Sequence, residues 1–183
     1  MNNLTLYTAK ALVLLDSEGK RLLAKYYKTG VTEFPKLKDQ QRFEKTLFEK
    51  TRRSNGEIIL LDGQVVVYQS SVDVFFYLVG SGDENELLLS TVLNGYHDAL
   101  SILLGQQLEK RNILDHYDLV TLALDECIDD GIVLEVDPEL IVSRVSKRGS
   151  QDMFDNALTD QTLMQAYQTA KERFAGSFLK GST

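Results

Sequence analysis

A single cysteine, Cys127, stands among the 183 residues, so no disulfide can form within the chain. That excludes a disulfide-stapled secreted domain and fits a reducing compartment. There are only two prolines and no low-complexity tract, which rules out collagenous, mucin-like and wholly disordered chains. Histidine is equally scarce. His97, His116 and Cys127 are too few and too scattered for a zinc site. The longest purely apolar run, Val74 to Val79, is far short of the ~20 residues that span a bilayer, and no N-terminal stretch resembles a secretory leader. Cations are in deficit as well, with 20 Lys and Arg against 27 Asp and Glu, a formal charge of −7 and a pI near 4.9. Nucleic acid is therefore not expected as a main ligand, because phosphate binding draws on clustered cations. These absences together describe a soluble cytosolic protein.

What remains is an ordinary globular composition, 43% hydrophobic and 26% charged, enough for one domain with an appendage. Residues Tyr7 to Asp16 alternate, with Ala9, Ala11, Val13 and Leu15 on one face and Leu12 and Leu14 partly filling the other. The pattern predicts a strand covered on both faces. Asp16-Ser17-Glu18-Gly19 is turn chemistry, and Arg21 to Tyr27 closes a hairpin. Phe43, Leu47, Phe48 and Thr51 recur at helical spacing. Glu57 to Leu61, Asp62-Gly63 and Gln64 to Gln69 predict a second hairpin, and Val72 to Val79 a further strand reached through a connection too short for a parallel crossover. A long helix is expected from Glu84 to Gln106 and a second from Leu114 to Asp129. A short helix should then open at Pro138 and run through Arg148. The order β-β-α-β-β-β-α-α-α predicts an α+β domain over residues 1–148, built on a five-stranded, mainly antiparallel sheet. Residues 149–157 read as a linker. In the tail, 158–183, Leu163, Tyr167, Ala170, Phe174 and Phe178 form an apolar stripe at spacings of four, three, four and four, an amphipathic helix with a contact face for its own domain or a partner.

Chemistry-bearing motifs mostly fail on inspection. Gly80-Ser81-Gly82 lacks the remaining parts of a dinucleotide or P-loop fingerprint and reads as a strand-to-helix turn. Asp125, Glu126, Asp129 and Asp130 form i,i+4 pairs on the expected helix, yet an EF-hand register puts Ile128 at the third loop position. They read as a solvated acidic face. No Gly-x-Ser-x-Gly elbow is present. His97 sits beside the apolar stripe of Leu93 and Leu100, and the carboxylates around Cys127 disfavour its thiolate. No catalytic residue, cofactor or metal is expected, and an enzyme is not.

The run Gly19-Lys20-Arg21-Leu22-Leu23-Ala24-Lys25-Tyr26-Tyr27 resembles the signature of the small sigma chains of clathrin adaptor complexes and of their coatomer relative, the zeta subunit. Val66-Val67-Tyr68, Glu84-Asn85-Glu86-Leu87 and Leu124-Asp125-Glu126 before Gly131 match in the same order, covering most of residues 7 to 148. Phe43-Glu44-Lys45, Tyr68 to Asp73, Ser143-Arg144-Val145 and the C-terminal extension are similar to the zeta branch. This resemblance implies a longin-like fold and a structural role in the COPI coat. It also implies a direct heterodimer with the gamma subunit, association with other coatomer subunits, indirect contact with an Arf-family GTPase, and a membrane reached through the coat at the Golgi. Some sigma chains hold dileucine cargo signals beside a strand-two arginine. Arg21 matches that arginine and Val72 and Val74 the apolar positions, but His97 and Gln107 replace aliphatic residues, so comparable dileucine binding is not expected. Tyr26, Tyr27, Leu87, Leu119 and Leu122 are the candidate partner contacts. A clathrin-adaptor sigma chain and a free-standing longin-type regulator are the other readings that share these features.

Overall fold

The computed structural model describes residues 6–28, 34, 36–54 and 57–147. The chain divides into two units, Met1–Val145 and Ser146–Thr183, and the first carries the sheet and the helices that cover it. The linker and tail helix expected from the sequence lie outside the described residues.

Strand β1 (Ala11–Asp16) turns back through Gly19, at φ +78°, into β2 (Arg21–Tyr26). Helix α1 (Leu37–Thr51) follows, then β3 (Ile58–Leu61), β4 (Gln64–Ser71) and β5 (Val74–Ser81). The sheet order is β2-β1-β5-β4-β3 with every neighbour antiparallel. The expected five-stranded α+β sheet is thus what forms. Asp62 and Gly63, both at positive φ, close the β3–β4 hairpin as the Asp-Gly dipeptide predicts. Val72 is a correction: the last strand begins at Val74, and Val72 sits at the β4–β5 turn with φ +44° and 89% exposure.

Strand β1 is buried along its whole length because alternate side chains enter two cores. Ala11, Val13 and Leu15 pack with Val66, Tyr77 and Val79 beneath Phe43, Leu47 and Phe48 of α1. Leu12 and Leu14, with Val67, Phe76 and Leu78, face the helices of the second half, and Ala9, expected beside Ala11, joins this second core. These helices are α2 (Glu86–Leu103), α3 (Lys110–Asp115) and α4 (Tyr117–Cys127), with a further helical stretch over 138–147. Asn85 caps α2, its side chain accepting from the N–H groups of Leu87 and Leu88. Asp137 does the same for the stretch that Pro138 opens, accepting from Glu139 and Leu140. The Tyr96 hydroxyl donates to the Val120 carbonyl at 3.1 Å and ties α2 to α4.

The helix expected from Leu114 to Asp129 is not continuous. It breaks at His116, whose φ −123° and ψ 38° are non-helical, and α4 ends at Cys127. Ile128–Asp129 (β6) and Ile132–Val133 (β7) then pair as a small hairpin across Asp130-Gly131, both at positive φ. This is the same Asp-Gly signal that marked the β3–β4 turn.

Candidate interaction surfaces

Register decides where Arg21 points. Leu14 pairs with Leu23 but Leu15 pairs with Arg21, so Leu22 is the extra residue of a β-bulge. The bulge reverses the alternation of β2. Leu22 packs with Leu23 toward the α2 core, while Arg21 shares the α1 face with its partner Leu15. There its guanidinium donates to both carboxylate oxygens of Glu44, Nε to Oε2 at 3.0 Å and Nη2 to Oε1 at 2.6 Å. Tyr26, five residues on and brought to the same face by the bulge, donates its hydroxyl to Glu44 Oε1 at 2.8 Å. Glu44 is buried, so its charge is compensated by a bidentate cation and a hydroxyl rather than by water. Burial, and next the Glu44 charge, push the Tyr26 phenol above its ordinary range and keep it a donor.

A second network joins three turns. Buried Asp16 accepts from the N–H groups of Glu18 and Lys20 through Oδ1 and from Lys110 Nζ at 2.8 Å through Oδ2. The Lys110 N–H in turn donates to Asp73 at 2.9 Å, fixing the β4–β5 turn against the start of α3. Burial alone would raise the Asp16 pKa, but the Lys110 ammonium and the two backbone donors outweigh it and hold the carboxyl below 3.8.

The expected cargo-pocket positions are not brought together. Val74 is core and Val72 is an exposed turn residue. His97 lies edge-on to Phe76 on the α2 face, and Gln107 is exposed in the loop after α2. Arg21 is on the opposite face, already paired. Among the candidate partner contacts, Tyr27 is core, and among the described residues its hydroxyl has no hydrogen-bond partner. Tyr26, Leu119 and Leu122 are partly buried. Only Leu87 is freely exposed, at 73%. The sequence reading missed Leu60, exposed at 66%, and Ile58, both on the α2 face of edge strand β3. Their signal was the run Ile58-Ile59-Leu60-Leu61, more apolar than a half-covered edge strand requires. The β3–β4 turn abuts the start of α2 so closely that a Cβ on Gly82 would overlap the Gly63 carbonyl oxygen. Leu60 and Leu87 therefore stand on two elements that meet where Gly63 approaches Gly82.

The acidic quartet is dispersed too. Asp125 pairs with Lys25, Glu126 is buried facing Arg144, and Asp129 and Asp130 belong to the small hairpin rather than to a helix face. Cys127 is buried, and burial more than any carboxylate pushes its thiol up to about 12. Among the described residues, no group of three or more His, Cys, Asp or Glu could hold a metal ion, and no helix is long and apolar enough to cross a membrane.

The fold and the motifs on it define a class. The clathrin adaptor complex small chain family matches residues 8–152, and this chain belongs to that family. A chain of a full-length AP-3 complex homology model in a stretched open conformation shares the fold, with a TM-score of 0.63 at 13% identity over 81% of this chain and 98% of that one. Within the family the chain belongs with the coatomer zeta subunits. It is 47% identical to coatomer subunit zeta-1 of Bos taurus over 176 residues, 96% of each chain. It is 46% identical to zeta-2 of Mus musculus over 96% of this chain and 82% of that protein, and 41% identical to zeta-2 of Arabidopsis thaliana over 93% and 94%.

Proposed function

We propose that this chain is a non-enzymatic structural subunit of the COPI vesicle coat, pairing directly with the large gamma subunit and serving Golgi-to-ER retrograde and intra-Golgi transport. It acts on the cytosolic face of Golgi membranes and COPI vesicles, meeting the Arf-family GTPase and the remaining coatomer subunits through the assembly. The observation that carries this reading is the 47% identity to a coatomer zeta subunit across 96% of both chains. The arrangement of side chains supports a binding role. Its charged networks fasten turns and helices together, and Ile58 and Leu60 on the β3 edge and Leu87 and Leu88 at the start of α2 are among its exposed apolar residues. Arg21 is neutralised by Glu44, which together with His97 and Gln107 argues against a dileucine-reading pocket. The domain over 1–148, the linker over 149–157 and a tail helix presenting Leu163, Tyr167, Phe174 and Phe178 complete the proposal.

Affinity capture of the tagged full chain from cytosol, with the assembly sized and identified by mass spectrometry, tests it. Recovery at equal stoichiometry with the gamma subunit and further coatomer chains is expected. Recovery as a free monomer would overturn the coat reading.

A further inference from the structure

The charge of this acidic protein is divided between the two faces of its sheet. Residues 83–147, which cover one face, carry fourteen carboxylates and four cations, and Lys110, Arg111 and Arg144 among those cations pair with carboxylates. Helix α1 covers the other face. Lys38, Arg42 and Lys45 recur at spacings of four and three on its outward side, opposite the buried Phe43, Leu47 and Phe48. Lys50, Arg52 and Arg53 continue the cationic run past the helix end. All six are exposed, and among the described residues none makes an ion pair. Only Asp39 and Glu49 interrupt them, because the third acid of the segment, Glu44, points inward to Arg21.

We infer that the outward face of α1 binds an anionic bilayer surface directly. The outward side of α1 sets no exposed apolar side chain between Lys38, Arg42 and Lys45, and its exposed Leu37 stands at the first position of the helix. A stable protein interface has a core depleted of charge, and of lysine in particular. A fluid sheet of acidic headgroups needs neither groove nor anchor, and clusters of four to eight Lys and Arg on an amphipathic helix suit it. The carboxylates on the opposite layer are repelled by the same surface, so the charge division orients the molecule with α1 toward the lipid. The inference goes beyond the coat assignment, since it requires no large subunit.

Co-sedimentation of the full chain with phosphatidylserine-rich vesicles, and with phosphatidylcholine vesicles alone, tests it at low and high salt. Binding to the anionic vesicles only, falling as salt rises, is expected. The variant Lys38→Glu/Arg42→Glu/Lys45→Glu, its fold checked by thermal unfolding, should lose binding about tenfold or more. Asp118→Lys, on the acidic layer, should leave binding undiminished. No preference for anionic vesicles, or full binding by the triple variant, would overturn the inference. If the triple variant keeps vesicle binding but loses capture of coat subunits, the basic face belongs to an acidic protein surface instead.

Discussion

Glu44 shows how one buried carboxylate is made tolerable, and what removing it should cost. Three donor contacts, two from Arg21 and one from Tyr26, replace the water it gave up. In Glu44→Ala, two donors lose their acceptor and a partly buried guanidinium is left uncompensated. Chemical denaturation should register a loss of about 2–3 kcal/mol. The double variant Arg21→Met/Glu44→Leu should recover most of it, because apolar groups of similar volume need no partner; a double variant as unstable as the single one would refute the pairing argument. Asp16 adds a pH-dependent contribution. Its folded pKa lies below the unfolded 3.8, so its stabilisation is complete above that value and is lost as pH falls through the folded pKa. Asp16→Asn should therefore be less stable than the parent by about 1–2 kcal/mol at neutral pH, with the gap closing below about pH 4. A gap constant from neutral to acid pH would mean that the charge of Asp16 is irrelevant.

At the scale of elements, legibility followed the strength of the periodic signal. Both hairpins, α1 and α2 could be read from the sequence because their apolar spacing is regular, and Asp62-Gly63 marks the β3–β4 turn in addition. The break at His116 could not be, since Asp115-His116-Tyr117 contains neither glycine nor proline and the apolar spacing runs on across it. The β6–β7 hairpin was signalled by Asp130-Gly131 but outweighed by the helical pattern before it. The bulge that turns Arg21 onto the α1 face is a tertiary outcome: Leu22 and Leu23 both find room in the α2 core, and nothing in the local pattern says so. Gly95 belongs to the same class. Alanine normally improves a helix interior by about 1 kcal/mol. Here a Cβ would overlap the Val136 carbonyl oxygen in the segment that crosses α2, and the obstacle is backbone. Gly95→Ala should destabilise by about 1–3 kcal/mol, and amide exchange should rise around 134–137. A raised Tm would show that this segment yields freely.

On the scale of the whole molecule, the sheet is covered on both faces, yet its cover stops short of β3. The central strands β1 and β5 lie between α1 and the α2 layer, whereas Ile58 and Leu60 are exposed at an edge that, among the described residues, no further strand pairs. Across the contact between Gly63 and Gly82, Leu87 is exposed on the first turn of α2. Neither leucine stabilises the described domain, so Leu60→Asp/Leu87→Asp should change unfolding free energy by no more than about 0.5 kcal/mol. Under the coat reading proposed above, the surface that covers them belongs to the large subunit. The same double variant should reduce co-capture of that subunit about tenfold or more, since each aspartate would bury an unpaired carboxylate in the interface. The two readouts separate the alternatives. Lost stability would place the leucines in the domain's own packing. Unchanged stability with unchanged capture would move the partner to another face and leave the β3 edge protected only by its shortness and by the acidic residues Glu57 and Asp62 at its ends.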